Sequence, residues 1–307
     1  MLEKELIIIG GGVAGLTAGI YAQRYGLKAT ILEKLFPGGL VATADLIENI
    51  PGEVEPIKGI MWVQKLQKQA EKFGTEIITG IEVNKIEKKN DGFILKTNAD
   101  DYFTKAIIIA TGCGHKKLGI KGEKEFYGRG VSYCATCDAM FYKDKIVAVV
   151  GGGNTALQGA MILSNVAKKV YLIHRRTEFR GEKITVERLS KKDNVEFVIP
   201  YKPKEILGNE KAEEIKVYHS ETKEEKGIKV DGIFIFVGFE PHSKPFRDIL
   251  ECDKSGFIKV NEKKETNVKG IWAAGDVTTT PLRQVVTAAA DGAIAAHYAY
   301  EYLKSLE

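Results

Sequence analysis

The stretch Leu6-Ile7-Ile8-Ile9-Gly10-Gly11-Gly12-Val13-Ala14-Gly15 decides how this chain folds. Its apolar run fits a parallel strand buried on both faces. Glycines follow at once, and Leu16-Thr17-Ala18-Gly19-Ile20-Tyr21-Ala22 then reads as a helix packed back on the sheet. In such a strand–turn–helix the first glycine permits the bend and the second lets the backbone approach a pyrophosphate. The third lets helix and strand pack closely, and the helix N-terminus attracts phosphate charge. The next strand, Ala29-Thr30-Ile31-Leu32, ends at Glu33 and Lys34, where an acid can bind ribose hydroxyls. Phe36-Pro37-Gly38-Gly39-Leu40 and Glu48-Asn49-Ile50-Pro51-Gly52 read as loops, and an amphipathic helix is expected over about 57–73. A hairpin with an Asn90-Asp91-Gly92 turn is expected over 82–97, with a third strand over 102–105. Ala106-Ile107-Ile108-Ile109 is another buried strand, closed by Ala110-Thr111-Gly112.

The second half repeats this plan. A buried strand over 145–150 leads into Gly151-Gly152-Gly153-Asn154-Thr155-Ala156 and a helix ending near 165. The next strand, over 169–173, ends in His174-Arg175-Arg176, where the first half has Glu33. A strand meander over 204–230 follows, and the strand over 232–238 corresponds to 107–112. The repeat is a duplicated domain, too long in period for a solenoid. The C-terminal residues hold a strand, Gly270-Ile271-Trp272-Ala273-Ala274-Gly275-Asp276, and a helix over about 283–302. Returning this tail to the first domain is the simplest arrangement and makes the second domain an insertion.

Between the halves lies Cys134-Ala135-Thr136-Cys137-Asp138. Two thiols separated by two residues can close a reducible disulfide and pass two electrons on by thiol–disulfide exchange. A dithiol between two dinucleotide turns suggests an electron path from one dinucleotide to the other and then to the disulfide. The 307 residues suffice for two domains with their own cores, and 44% hydrophobic and 28% charged residues are ordinary for a globular protein. The net charge of +4 comes from dispersed residues without a basic block, so neither nucleic acid nor a membrane surface is an expected partner. The chain opens Met1-Leu2-Glu3-Lys4, and no apolar run approaches the ~20 residues needed to span a bilayer, so a cytoplasmic protein is expected. Four cysteines, only two of them close together, argue against a secreted disulfide scaffold. Tyr133, Thr136 and Met140 cannot complete a zinc site and the histidines lack ligand spacing, so no metal is expected.

These motifs, in order across nearly the whole chain, resemble the low-molecular-weight thioredoxin reductases of bacteria and archaea, within the pyridine nucleotide-disulfide oxidoreductases. Phe179-Arg180, Gly238-Phe239-Glu240-Pro241 and Arg283-Gln284 belong to the same resemblance. It implies an α/β fold of two Rossmann-like domains, each a three-layer ββα unit, the second inserted in the first. An FAD-binding domain would cover 1–113 and 242–307, and an NAD(P)H-binding domain over 114–241 would carry the Cys pair. The FAD pyrophosphate would lie at Gly10, Gly12, Val13, Ala14 and Gly15, with the adenosine ribose at Glu33 and Lys34. The flavin loop maps to Gly38, Gly39, Leu40 and Thr43, with Asn49 beyond it. Val83 would lie by the adenine, and Ala110, Thr111 and Gly112 would line the same cofactor. Gly275 and Asp276 would hold the ribityl–phosphate region, and Arg283, Gln284 and Val285 would place a helix N-terminus by the flavin ring. NADPH would bind at Gly153, Asn154, Thr155 and Ala156, with His174, Arg175, Arg176 and Arg180 as the 2′-phosphate clamp. Arginine suits that role because its planar fork matches phosphate geometry.

The resemblance further implies a route in which NADPH reduces FAD and FAD reduces the Cys134–Cys137 disulfide. Cys137 would face the flavin, Cys134 would attack the disulfide of thioredoxin, and Asp138 would carry the proton. It also implies a homodimer, and rotation of the inserted domain about crossings near 113–117 and 238–243. The chain departs from the family pattern at several positions. Gln158-Gly159 stands where the family has a Glu pair that positions the nicotinamide, Leu40 replaces a usual Gln, and Ala290 a usual Gly. Cys113 reads as buried filler and Cys252 as incidental. Other readings are a ferredoxin- or deazaflavin-driven relative, a reductase of another small disulfide protein, a dithiol oxidase passing electrons to oxygen, and a flavin-bound sensor.

Overall fold

The structure, a computed structural model, describes residues 1–44 and 47–306. It divides into two compact units, Met1–Gly114 with Glu240–Glu307, and His115–Phe239.

The first unit is built on a five-stranded parallel sheet. Its strand order is Ile271–Ala273, Ala106–Ile109, Leu6–Ile9, Ala29–Glu33, Glu76–Thr79. Leu6, Ile7 and Ile8 are fully buried and Ile9 nearly so, because both faces of the central strand are covered. Each such side chain contributes about 1.5–3 kcal/mol of burial free energy. On one face, Leu6 and Ile8 pack with residues of the helices Val13–Arg24 and Val285–Lys304, among them Leu16, Ala295 and Ala299. Those two helices approach closely, since a β-carbon at Gly292 would stand 2.1 Å from the Ala14 carbonyl oxygen. On the other face, Ile7 and Ile9 meet Val83, Ile86, Phe93 and Leu95 from a four-stranded sheet of order Leu2–Glu3, Tyr102–Thr104, Gly92–Thr97, Val83–Lys89. The layers are therefore sheet, sheet, helices.

The second unit repeats the scheme. Its parallel sheet runs Val131–Ser132, Gly232–Ile235, Ile146–Val150, Lys169–Ile173, Val195–Val198. A three-stranded antiparallel meander, Tyr201–Gly208, Ala212–His219 and Glu225–Lys229, covers one face. The other face carries Asn154–Ser164 and Lys183–Ser190, with the short helix Ala135–Asp138. The repeats differ in the number of strands in the covering sheet and in the source of one edge strand of the parallel sheet. The edge strand beside Ala106–Ile109 comes from the C-terminal tail in the first unit, whereas the one beside Gly232–Ile235 comes from the segment before the central strand in the second. Each edge strand leads directly into a segment that the sequence pattern singles out, Ile271–Ala273 into Gly275-Asp276 and Val131–Ser132 into Cys134.

The main elements agree with the sequence pattern, with shifted ends. The helices expected over 57–73 and 283–302 run Gly59–Lys72 and Val285–Lys304, and the loop after Gly38 winds into a 3-10 turn, Gly39–Thr43. Glu76–Thr79 and Val195–Val198 escape the pattern because each edge strand has only four residues and lacks a continuous apolar run.

Candidate active site

The two glycine turns have the same internal geometry. Gly10 has φ +102°, and a β-carbon there would lie 2.6 Å from the Ala110 oxygen; one at Gly15 would lie 1.9 Å from the Gly10 oxygen. Gly12, the helix N-cap, has nothing within 4 Å of an added β-carbon, so the backbone there lies open. In the second unit Gly151 has φ +152°, and its β-carbon would stand 2.3 Å from the Phe236 oxygen, while Gly153, again the N-cap, is open. Ala156 occupies the close-packing position that Gly15 fills in the first turn, and is fully buried.

Around the first turn, the structure brings together residues far apart in sequence. Glu33 accepts from the Gly11 N–H at 2.6 Å and the Leu35 N–H at 2.9 Å, which fixes the strand end against the turn. Lys34 points elsewhere, to an exposed ion pair with Glu82 at 2.7 Å. The Gly38 N–H donates to the Gly11 oxygen at 2.8 Å, and Gly39 lies over Gly12. Leu40 is 40% exposed, and its carbonyl accepts from Thr43 Oγ1 at 2.7 Å. Asn49 Nδ2 donates to Gln284 Oε1 at 3.0 Å, and Gln284 forms a reciprocal capping box with Thr287 that starts the helix at Val285. Ala110 and Val83 are buried. Thr111 is held by His242, whose oxygen accepts from Thr111 Oγ1 at 2.9 Å, and Gly112 accepts from the His242 N–H at 3.1 Å.

Gly275 has φ +75° and packs against Ala14. Asp276 sits deep beside it, and burial pushes its carboxyl up to about 6, against the Arg283 guanidinium and the Cys113 thiol, which lower it. Cys113 is therefore more than filler. It is buried, its Sγ lies 3.8 Å from Asp276 Oδ2, and burial first, then Asp276, pushes the thiol up to about 12. Arg283 Nη2 donates to the Thr278 oxygen at 3.2 Å, and its guanidinium lies over the Phe257 ring at 4.2 Å.

In the second unit His174 is buried, stacked on Phe179 at 5.3 Å, with Nε2 unpartnered. A β-carbon at Gly152 would stand 2.3 Å from its ring, so this turn must be glycine to admit the imidazole. Burial, then the backbone of Glu178 acting oppositely, then the charges of Arg180, Arg175 and Arg176 leave its pKa below the ordinary histidine value. Arg175 and Arg176 are exposed. The Arg180 N–H donates to the Gly152 oxygen at 2.8 Å, and Asn154 Oδ1 accepts from the Glu182 N–H at 2.8 Å, so the arginine loop is fastened to the glycine turn. Thr155 is exposed at the start of that helix. Gly159 has a local reason: a β-carbon there would lie 2.5 Å from the Phe236 ring.

Cys134 and Cys137 form a disulfide with Cα atoms 5.4 Å apart. Cys134 is the N-cap of Ala135–Asp138, its Sγ accepting from the Cys137 N–H at 3.2 Å with Thr136 Oγ1 at 3.6 Å. Ser132 Oγ accepts from the Cys134 N–H at 3.1 Å and donates to Asp138 Oδ2 at 2.5 Å. Sequence reasoning passes over Ser132; a Ser two residues ahead of a helix-capping Cys is the available signal. It also passes over Glu123, whose buried carboxylate accepts from the N–H groups of Leu118 and Gly119 and from the Tyr133 hydroxyl at 2.8 Å. Among the described residues no His, Cys, Asp and Glu cluster could hold a metal, and no helix is long and apolar enough to cross a membrane.

Residues 4–292 match the family model described as pyridine nucleotide-disulphide oxidoreductase. The chain is 44% identical to a thioredoxin reductase of Helicobacter pylori, the alignment covering 98% of this chain and 99% of the relative. Among solved structures it is similar to thioredoxin reductase from Streptococcus pyogenes, with a TM-score of 0.88 and 39% identity over 99% of both chains. It is also similar to that from Giardia duodenalis, with a TM-score of 0.89 and 32% identity over 99% of this chain and 100% of the other. With its disulfide in one of two units that each repeat a glycine turn, the chain belongs to the pyridine nucleotide-disulphide oxidoreductases and, among them, to the thioredoxin reductases.

Proposed function

We propose that the unit 1–113 with 242–307 binds FAD, that 114–241 binds NADPH, and that the Cys134–Cys137 pair reduces thioredoxin. The residues suit both cofactors. Gly12 and Gly153 leave open backbone at helix N-termini, where a pyrophosphate is attracted, and the buried Asp276 carboxyl lies beside the first turn. Glu33 ends the strand that serves the first turn and would repel a 2′-phosphate, while His174-Arg175-Arg176 ends its counterpart at the second and attracts one. That contrast supports FAD at the first turn and NADPH at the second, and it favours NADPH over ferredoxin or a deazaflavin as donor. When bound, the two cofactors supply hydride transfer and deliver an electron pair to the disulfide at Cys137.

The observation that carries the reading is Cys134 Sγ accepting the Cys137 N–H at a helix N-cap. That hydrogen bond persists for a thiolate and strengthens with its charge. The Cys134 thiolate attacks one sulfur of the thioredoxin disulfide, forming a mixed disulfide and releasing the other sulfur as a thiolate. Cys137 then attacks Cys134, reforming the internal disulfide and releasing the second thioredoxin thiolate. Asp138, held by Ser132, would carry protons for these steps. The enzyme works in the cytoplasm as a homodimer in this reading.

Cys134→Ser tests the assignment. NADPH should still bleach the flavin in stopped flow, while reduction of thioredoxin stops; retained thioredoxin turnover overturns it. Parallel mixing with NADH and with reduced ferredoxin tests the donor, and NADPH should bleach fastest.

A further inference from the structure

A buried ion pair lies behind the turn that presents Asp276. Asp291, on the helix Val285–Lys304, is 6% exposed. Its Oδ1 stands 2.6 Å from Lys264 Nζ, and its Oδ2 accepts from the Gly275 N–H at 3.1 Å. Lys264 also holds the edge strand through its main chain, its oxygen accepting from the Ala273 N–H at 3.0 Å. Lys264 adopts φ +62°, an uncommon conformation for a side-chain-bearing residue. Space at this point is fully used. A β-carbon at Gly275 would stand 2.9 Å from that of Ala14, next to the first glycine turn, and Gly292 lies against the Ala14 oxygen. The pair thus links the last helix, the edge strand and Gly275 where the first helix begins.

Stability alone does not account for a charged pair here. Replacing a buried ion pair with apolar residues of similar volume is often neutral or stabilising, whereas removing one partner leaves a costly uncompensated charge. What an apolar pair cannot supply is an acceptor for the Gly275 N–H. Nor can Asp291 alone serve, because its charge would then face the Asp276 carboxyl and a bound pyrophosphate.

We propose that Lys264 and Asp291 are positioning residues for the flavin site: Asp291 orients Gly275, and through it Asp276, while Lys264 neutralises the charge that this task requires. The inference rests on the reading of the first unit as an FAD site. The pair holds the turn ready, so that binding does not have to order it.

The test compares Lys264→Met, Lys264→Arg and the double variant Lys264→Met/Asp291→Leu as full-length holoenzymes. Flavin release is followed by the rise in free-flavin fluorescence on dilution and on heating, and chain unfolding by circular dichroism. FAD affinity should fall about tenfold or more in the double variant, which loses a hydrogen bond to a charged group, and in Lys264→Met, which leaves the Asp291 charge unneutralised. Lys264→Arg should bind nearly as the wild type does. In the double variant the flavin should leave at a lower temperature while chain unfolding holds close to the wild-type midpoint. Flavin release and unfolding shifting together in every variant would mark a purely structural pair and overturn the proposal. If the double variant does not fold, the Met and Arg single variants decide, and equal FAD affinity in both overturns it. Asp276→Ala separates the underlying reading: unchanged FAD affinity there overturns the site assignment, whereas loss there with none in Lys264→Met overturns the pair's role alone.

Discussion

Ser132 Oγ donates to Asp138 Oδ2 at 2.5 Å and accepts from the Cys134 N–H at 3.1 Å. One hydroxyl thus sets both the Asp138 carboxylate and the Cys134 backbone. If Asp138 carries protons for thiol exchange, Asp138→Asn should slow thioredoxin reduction about 100-fold or more, the usual worth of a positioned acid–base group. Ser132→Ala, which frees the carboxylate without removing it, should cost less, about tenfold, and both variants should keep NADPH-driven flavin bleaching. Thioredoxin turnover by Asp138→Asn within twofold of the wild type would remove Asp138 from the mechanism.

The pKa of Asp276 gives a second test, read in flavin-free protein. Burial raises its carboxyl from 3.8 to about 6. A raised folded-state pKa means the native chain binds this proton more tightly than the unfolded chain does. The stabilisation is therefore complete below about 3.8 and lost as pH rises through about 6, amounting to about 3 kcal/mol. Urea unfolding of wild type and Asp276→Asn at pH 4 and pH 7 should show that difference between their slopes. Cys113→Ala removes a hydrogen bond that lowers this pKa, so it should extend the loss to higher pH. Parallel pH profiles for wild type and Asp276→Asn would contradict the assignment.

His115 works in the opposite direction over a similar range. Its ring stacks on Tyr133 at 5.1 Å, and burial, followed by the Lys117 ammonium, pushes it from 6.5 down to about 4. The native chain holds it neutral, so its contribution is present above about 6.5 and lost as pH falls toward 4, on the order of 3 kcal/mol. His115→Phe keeps a ring on Tyr133 and removes the titration. Guanidinium melts of both proteins at pH 7 and pH 4.5 should therefore show the variant gaining most of that stability on the wild type as the pH falls. An acid limb unchanged in His115→Phe would refute this.

The two glycine turns are legible in the sequence because each follows an apolar run, and no other common element needs glycine at those spacings. The Cys pair is legible for a similar reason, its chemistry residing in adjacent residues. Contacts across long separations are not. The meeting of Cys113 with Asp276, or of Asp291 with Gly275, depends on which helix crosses which strand end. The origin of the edge strands is equally hidden, because Val131–Ser132 is two residues long and pairs with Gly232–Ile235, far along the chain. The helix Lys183–Ser190 buries only Leu189 fully, too weak a stripe to announce itself. Gln158-Gly159 reads as a departure from the family until the Phe236 ring is seen to occupy the space a side chain at 159 would need.

Arg175 and Arg176 are exposed, and the backbone of Arg180 is fastened to Gly152. An arginine–phosphate hydrogen bond is charge-assisted and contributes about 1.5–3 kcal/mol, so losing one should raise the KM for NADPH about 10- to 100-fold. NADH has no 2′-phosphate and should be used by Arg176→Ala about as well as by the wild type. The preference for NADPH would then collapse without a matching fall in kcat, because a phosphate clamp at these arginines would act on binding and not on the reacting atoms. Raising the salt should mimic the substitution in the wild type and have little further effect in an Arg175→Ala/Arg176→Ala variant. Steady-state rates with both dinucleotides at two ionic strengths check this. Equal losses with NADPH and NADH would mean that the arginines support the fold of the turn and do not read the phosphate.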